Sequence, residues 1–474
     1  VLRIAVLAAL ARLLTPADFG LLGAAGVVVW LSVVFSSLGL GPALIQRQQL
    51  EPRHVATAAV GSLAFGCVVG VLVIVCADSL EALFRLPGLA PVLTGLALLF
   101  PLAGWSSVAE CLLQRQLRFA TIAGAELVSY LAGYGLVGIG LAWLGAGVWA
   151  LVGAEAVKAV VKAVTFARAV PLPRPFAVDS GALGELLRFG SSYTASGLGT
   201  YVAAQADTVI VARFLGAGAL GLYGRAYELM LAPAQALGTV LDKILFPTIS
   251  RVQSDAGRLR LGYRRCTALV ALTVLPASIA TIVLAPEIVA VLLGAQWRGA
   301  VLPLQLLAAG MFFRVGYMVG HAVANAAGSV HGVAWRNAAH AATIIAAALV
   351  GVRWGLPGVA AGVVLALALH YTLVAQLGVR VAGLGWPQFV SLHLPGLGLT
   401  AGVGIALWLT VEPLRASATP PLVTLVAAGI VAAAFTLVAM RAAPPSLLGP
   451  EGTWMRSTLF RVAWPTGHRQ TAES

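Results

Sequence analysis

Apolar runs of about 20 residues recur from one end of the chain to the other, separated by short segments rich in Gly, Pro, Arg and Asp. A helix of that length rises about 30 Å, the thickness of a bilayer's hydrocarbon core. No run alternates with the period of two expected of a barrel strand, so the pattern predicts an all-α, polytopic helical bundle. Placing boundaries at Gly, Pro and charge clusters predicts about 14 spans. They cover roughly residues 1–14, 20–40, 55–77, 88–109, 119–142, 147–169, 185–206, 217–245, 266–293, 301–325, 335–352, 356–377, 391–410 and 420–440. The first run, Val1 to Leu14, rises only about 21 Å and reads as a helix lacking its beginning. Further spans follow it directly, so no cleavable signal peptide is predicted.

Composition agrees with a multi-pass membrane protein: 60% of residues are hydrophobic, 10% are charged, and the mean hydropathy is +0.94. The net charge of +13 would suggest nucleic acid in a soluble chain. Here the basic residues fall mainly in loops after even-numbered spans, for example Arg47 and Arg53, Arg115 and Arg118, Arg168 and Arg174, and the cluster Arg251 to Arg265. Odd-numbered loops carry isolated arginines such as Arg85, Arg298, Arg353 and Arg415, often near an acid such as Glu81, Glu287 or Glu412. The positive-inside rule therefore places the even loops and the C-terminus in the cytoplasm. No nucleic-acid partner, cofactor or metal is expected. The four cysteines show no CxxC spacing and read as packing residues.

Two corners of the chain match. "ARLLTPADFGLLGAA" from Ala11 and "ARFLGAGALGLYGRA" from Ala212 share seven positions at an offset of 212 minus 11, or 201 residues. "LGPALIQRQ" at Leu40 matches "LFPTISRVQ" at Leu245 loosely, as "WLGAGVWA" at Trp143 does "WGLPGVAA" at Trp354. Three matches in order indicate duplication. The offset spans six helices, an even number, so the halves share one orientation and form a parallel repeat. The predicted organisation is an N-terminal lobe (1–169, helices 1–6), a cytoplasmic linker (170–184), a C-terminal lobe (185–377, helices 7–12), two further helices (391–440) and a flexible cytoplasmic tail (441–474).

The corner "ARLLTPADFGLLG", with "LLQRQLRF" (112–119), "GAGVWALV" (145–152), the long segment 186–229, "LFPTISRVQSD" (245–255) and "LLGAQW" (292–297), resembles the bacterial oligosaccharide flippases. These translocate lipid-linked repeat units for lipopolysaccharide, capsule or exopolysaccharide synthesis. They belong to the superfamily of multidrug, oligosaccharidyl-lipid and polysaccharide exporters. The resemblance implies two six-helix lobes facing a central cavity, alternating access and residence in the inner (cytoplasmic) membrane. It also implies an undecaprenyl-diphosphate-linked oligosaccharide substrate, contact with membrane lipids, and polysaccharide polymerases and glycosyltransferases as partners.

A diphosphate-linked glycan needs a hydrated cavity with cationic groups, and charges inside spans are costly enough to mark function. Four stripes carry such groups. Glu155, Lys158, Lys162 and Thr165 share one face of span 6, where an internal Glu–Lys pair and a snorkelling Lys162 form the structural alternative. Arg314, Met318, His321 and Asn325 share a face of span 10, with His321 expected as a hydrogen-bonded helix contact. Around the second corner lie Asp207, Arg213, Tyr223, Arg225 and Tyr227, and Arg12 lies on the first; Arg12 and Arg213 also suit interfacial anchoring. In span 5, Glu126, Tyr130 and Tyr134 line up as a ring platform or a packed aromatic ridge. Glu126, Glu155 and Asp207 are the acids that would couple transport to an ion. "GYGLVG" (133–138) matches a dinucleotide fingerprint, but it lies in an apolar span with no strand before it and reads as helix packing. Rival functions are a cation-coupled multidrug exporter of the same fold, a membrane polymerase or glycosyltransferase, and a non-transporting scaffold. The outer loops are short and contain no DxD.

Overall fold

The computed structural model describes residues 2–37, 39–170, 178–250, 256–445, 449–454 and 456–457; side chains at 33–37, 189, 191–204, 234, 236–250, 256 and 330 are outside that description. Linker residues 171–177, the basic residue Arg251, the side chain of Lys243 and tail residues from 458 onward therefore lie outside the described residues. Among the described residues, all regular structure is helical. The first half comprises α1 (Leu2–Leu13), α2 (Pro16–Ser37), α3 (Leu40–Gln46), α4 (Pro52–Phe84), α5 (Leu89–Ala97), α6 (Phe100–Arg115) and α7 (Phe119–Tyr130). α7 continues through a π-helical stretch, Leu131–Gly138, into α8 (Ile139–Trp143), followed by α9 (Val148–Ala169). Next come α10 (Ser180–Ser250), broken at Gly216 with φ 87°, and α11 (Ala256–Leu292). After them run α12 (Val301–Ala309), α13 (Met311–Ala326), α14 (Val330–Gly351), α15 (Gly355–Val381), α16 (Trp386–Ser391), α17 (Leu394–Ala416) and α18 (Pro421–Ala442).

The chain is a multi-pass membrane protein. Among the described residues, eight helical segments are long and apolar enough to cross a bilayer, and α5 with α6, bent by 48°, adds a ninth if taken as one broken span. The count of 14 predicted from sequence is larger for identifiable reasons. Predicted spans 11 and 12 fall within one apolar segment, His331–Val381. α9 carries Glu155, Lys158, Lys162 and Arg168, and much of the seventh predicted span has no described side chains.

The chain forms two compact units. The first comprises Val1–Arg225, Leu292–Gly299 and Ile344–Val359; the second comprises Ala226–Val291, Ala300–Thr343 and Ala360–Ser474.

In the first unit, the corner at Ala11 is a capped helix junction. The Asp18 carboxylate accepts from the Thr15 N–H at 2.8 Å and from its hydroxyl at 2.7 Å. Pro16 occupies the first turn of α2, where its missing N–H costs nothing. The end of α1 leaves unpaired carbonyls that Gln296 Nε2 satisfies at Ala11 (2.7 Å) and Leu14 (3.0 Å), while Trp297 Nε1 also donates to Ala11 (2.7 Å). Trp297 is fully buried, with its ring edge-on to Phe19. Three arginines terminate other helices in the same way. Arg115 donates to the Leu44 and Ile45 carbonyls at the end of α3, Arg118 to Ala169 at the end of α9, and Arg213 to Leu83 at the end of α4. At the start of α10, Glu185 pairs with Arg47 (2.5 Å) and buried His54 (3.3 Å).

The two repeated corners also touch each other. A Cβ on Gly20 would run into the Ala217 carbonyl, and one on Gly221 into the Pro16 carbonyl. The 201-residue offset carries Gly20 onto Gly221 and Pro16 onto Ala217. Residue i of one corner thus meets residue j of the other and the reverse, the signature of a local two-fold relation.

In the second unit, Arg415 near the end of α17 forks onto buried Glu287 of α11 at 2.8 and 2.9 Å. Part of the tail predicted as flexible is docked: Glu451 pairs with Arg264 at 2.7 Å, and Arg265 lies over the Trp454 ring.

Filling the glycine crossing should destabilise the protein. Gly20→Val and Gly221→Val are each expected to cost about 1–3 kcal/mol, read as lowered melting temperatures in detergent. Gly26→Val, where an added Cβ meets open space, should leave the melt near wild type.

Candidate functional site

The best-defined cavity of the first unit has a volume of about 870 Å³ and is walled by α2, α3, α6 and α9. α9 supplies Glu155, Lys158 and Lys162, which the spacing i, i+3, i+7 sets on one face. Across from them stand Trp30 of α2, Gln46 of α3 and Glu110 of α6. α7 brings Glu126 to Lys162, and the π-helical stretch after it presents Tyr134 to Glu155. A π stretch shifts the register of side chains around the axis and is common at functional sites. Gly133 within it lies against the Ala154 carbonyl and the Lys158 side chain, and Gly138 against the Ala154 side chain, which accounts for these two glycines of "GYGLVG" as packing residues.

The charges are paired. Lys162 Nζ lies 2.5 Å from Glu126 and 3.0 Å from Glu110. Lys158 donates to both oxygens of Glu155 at 3.1 and 3.2 Å, and the Tyr134 hydroxyl donates to Glu155 at 2.5 Å. Arg3 stands 3.9 Å from Glu126 and over the Tyr130 ring, which stacks on Tyr134 at 5.1 Å. These lysines and glutamates are each 21–30% exposed, so water reaches them without flooding them. Two lysines face three carboxylates, a charge-paired surface rather than the purely cationic one that Lys158 and Lys162 suggest alone. Such a network can exchange partners: an entering anion takes the lysines, and the freed carboxylates accept from hydroxyl groups.

The structure distributes the other predicted residues. Asp207 is buried and accepts from the Tyr223 hydroxyl at 2.5 Å and from the Thr208 N–H at 2.8 Å. Arg213 caps α4, Arg225 lies over Phe19 at 4.6 Å, and Arg12 is an exposed residue at the end of α1. In the second unit, Arg314 lies over the Tyr227 ring at 5.4 Å. Lys158, Lys162, Glu155 and Glu126 are therefore joined in one network, whereas Asp207 with Tyr223, and Arg314 with Tyr227, form separate contacts.

Sequence reasoning missed Glu110, Arg3 and Trp30. Glu110 sits one residue past the predicted edge of span 4, so it reads as a loop acid, although an acid beside an apolar run is the signal that would have found it. Trp30 looks like any apolar member of span 2.

The chain as a whole is similar to known proteins. Residues 9–302 match the family model described as polysaccharide biosynthesis protein. The chain is 28% identical over 316 residues to the lipopolysaccharide biosynthesis protein WzxC of Escherichia coli (strain K12), covering 66% of this chain and 64% of that protein. It is 29% identical over 300 residues to the succinoglycan biosynthesis transport protein ExoT of Rhizobium meliloti (strain 1021), covering 63% and 60%. The matched region is thus under two thirds of each relative's length. In fold, the chain resembles the lipid II flippase MurJ in its inward closed conformation (TM-score 0.72, 13% identity, 92% of this chain and 97% of that one). It also resembles an inward-facing multidrug resistance MATE family transporter of the MOP superfamily (TM-score 0.63, 17% identity, 80% and 94%).

Removing the centre of the charge network should leave Glu110 and Glu126 without the cation they share, with only Arg3 at 3.9 Å beside Glu126. Lys162→Met is expected to cost about 1–3 kcal/mol in a detergent melt, below the range for fully buried pairs because water reaches the site. Adding Glu110→Gln and Glu126→Gln should restore most of that loss, whereas an unrestored melt would show that Lys162 acts through packing alone.

Proposed function

The chain belongs to the polysaccharide biosynthesis protein family, and on that premise we propose that it flips undecaprenyl-diphosphate-linked oligosaccharide repeat units across the cytoplasmic membrane. The product would feed lipopolysaccharide, capsule or exopolysaccharide synthesis. The observation that carries this reading is the cavity of the first unit, which presents a charge-paired network within a helical membrane fold. A diphosphate entering it would take Lys158 and Lys162 from Glu155, Glu110 and Glu126, and the released carboxylates and Gln46 would accept or donate to sugar hydroxyls. Trp30 offers a ring face to a pyranose. The lipid tail would stay in the bilayer. The reciprocal Gly20 and Gly221 contacts support two parallel halves, the arrangement on which alternating access by rocking depends. The distribution of Lys and Arg supports a cytoplasmic C-terminus. Glycosyltransferases would act before it and polymerases after it on the same carrier lipid.

A second reading, a cation-coupled drug exporter, is favoured by one observation: in the charge network around the cavity, the two lysines face three carboxylates.

Complementation separates the two. Expressed with any upstream sequence its gene encodes, the protein should restore surface polysaccharide in a flippase-deficient strain and should not raise ethidium efflux. Lys158→Met with Lys162→Met should lower polymer export about tenfold or more at equal membrane abundance, the scale of one lost charge-assisted contact. Efflux without restored polymer would overturn the flippase reading in favour of the exporter.

A further inference from the structure

The second unit gathers three histidines far apart in sequence. His321 of α13, His340 of α14 and His370 of α15 form one ring cluster. His340 and His370 stack with centroids 4.2 Å apart and planes 20° from parallel, and His321 stands edge-on to His370 at 5.4 Å. Tyr317 closes the group, 4.7 Å from His370 and 5.2 Å from His321. His370 is 2% exposed. Nδ1 of His340, Nδ1 of His370 and Nε2 of His321 are buried and have no hydrogen-bond partner among the described residues.

Buried polar atoms are nearly always paired, and three unpaired ones in a single cluster need an explanation. Packing alone would be served better by apolar rings. Metal binding is not supported, because no group of His, Cys, Asp or Glu among the described residues has the required arrangement. Histidine is the side chain that exchanges a proton near neutral pH. We propose that His321, His340 and His370 are a proton-binding site of the second unit, through which proton uptake drives rearrangement of α13, α14 and α15. The proposal rests on the transport reading for its role and on the cluster alone for its chemistry.

The surroundings define how such a site would work. Arg314 and Tyr317 face it from α13, and the positive charge of Arg314 opposes a proton on His340. Arg336 on α14 donates to the Leu373 and Gly332 carbonyls, and Tyr371 on α15 pairs with His393 at 2.6 Å. Tyr227 lies beneath Arg314. Among the described residues, no carboxylate partners the three rings. A second proton, on a ring 4–5 Å from the first, would meet like-charge repulsion, so the cluster takes one proton as a unit. The step is an imidazole nitrogen accepting a proton from water on one side of the membrane and returning it to water on the other. Sharing that proton between rings needs an N–H pointing in plane at a neighbouring nitrogen, which the stacked pair does not allow. Burial and the charge of Arg314 also oppose a proton on the closed stack, so uptake requires the rings to part, and each ring rides on a different helix. Proton uptake and helix rearrangement are therefore linked.

The test has two arms on the full chain. In nanodiscs, 15N-histidine NMR follows each ring through pH 5 to 8, and His340→Gln should move the titration midpoint of His370. Independent titration, with that midpoint unmoved, overturns the cluster. In liposomes, flipping of undecaprenyl diphosphate bearing one N-acetylglucosamine is measured with and without a one-unit pH gradient. One proton per cycle gives a gradient-to-symmetric ratio of up to about tenfold. His370→Gln should bring the ratio to one, while exposed His331→Gln should retain it. A wild-type ratio of one, or one unaffected by His370→Gln, overturns the coupling. If the wild type flips no probe at all, the transport reading fails, and the NMR arm still decides the proton site.

Discussion

A helix end leaves carbonyls without an intrahelical partner, and a charge between apolar helices has little water to solvate it, so each such group must find its partner within the protein. That constraint organises the described structure. The carbonyls ending α1 are taken by Gln296 and Trp297, those ending α3 by Arg115, those ending α9 by Arg118, and one at the end of α4 by Arg213. Several residues that make the chain look like its family are therefore helix-terminating hardware, kept at their spacing by the carbonyls they must reach.

The same constraint shapes the cavity. Lys158 and Lys162 are tolerated beside apolar helices because Glu155, Glu126 and Glu110 compensate them, and Tyr134 adds a donor to Glu155. A network in which each charge has a partner, and some have two, can trade a partner for a ligand without leaving a bare ion behind. The histidine cluster is the contrasting case: its unpartnered nitrogens leave room for a proton, whereas Glu126, Glu155 and Asp207 already accept from donors.

The close crossing at Gly20 and Gly221 gives the repeat a physical meaning. Matching letters 201 residues apart indicate a duplication; the reciprocal meeting of each glycine with the other corner's backbone explains why both copies keep a residue without a side chain there.

The sequence by itself determined the helical membrane class, the repeated corner and the shared face of Glu155, Lys158 and Lys162, because hydropathy and helical periodicity are local properties of the chain. Only the tertiary structure decided which charges meet. Glu110 joins Lys162 from a helix about 50 positions earlier, Trp30 reaches the same cavity from α2, and His321, His340 and His370 converge from three helices. Those meetings depend on how helices cross, and a helix's own sequence specifies its polar face without specifying which neighbour that face will touch.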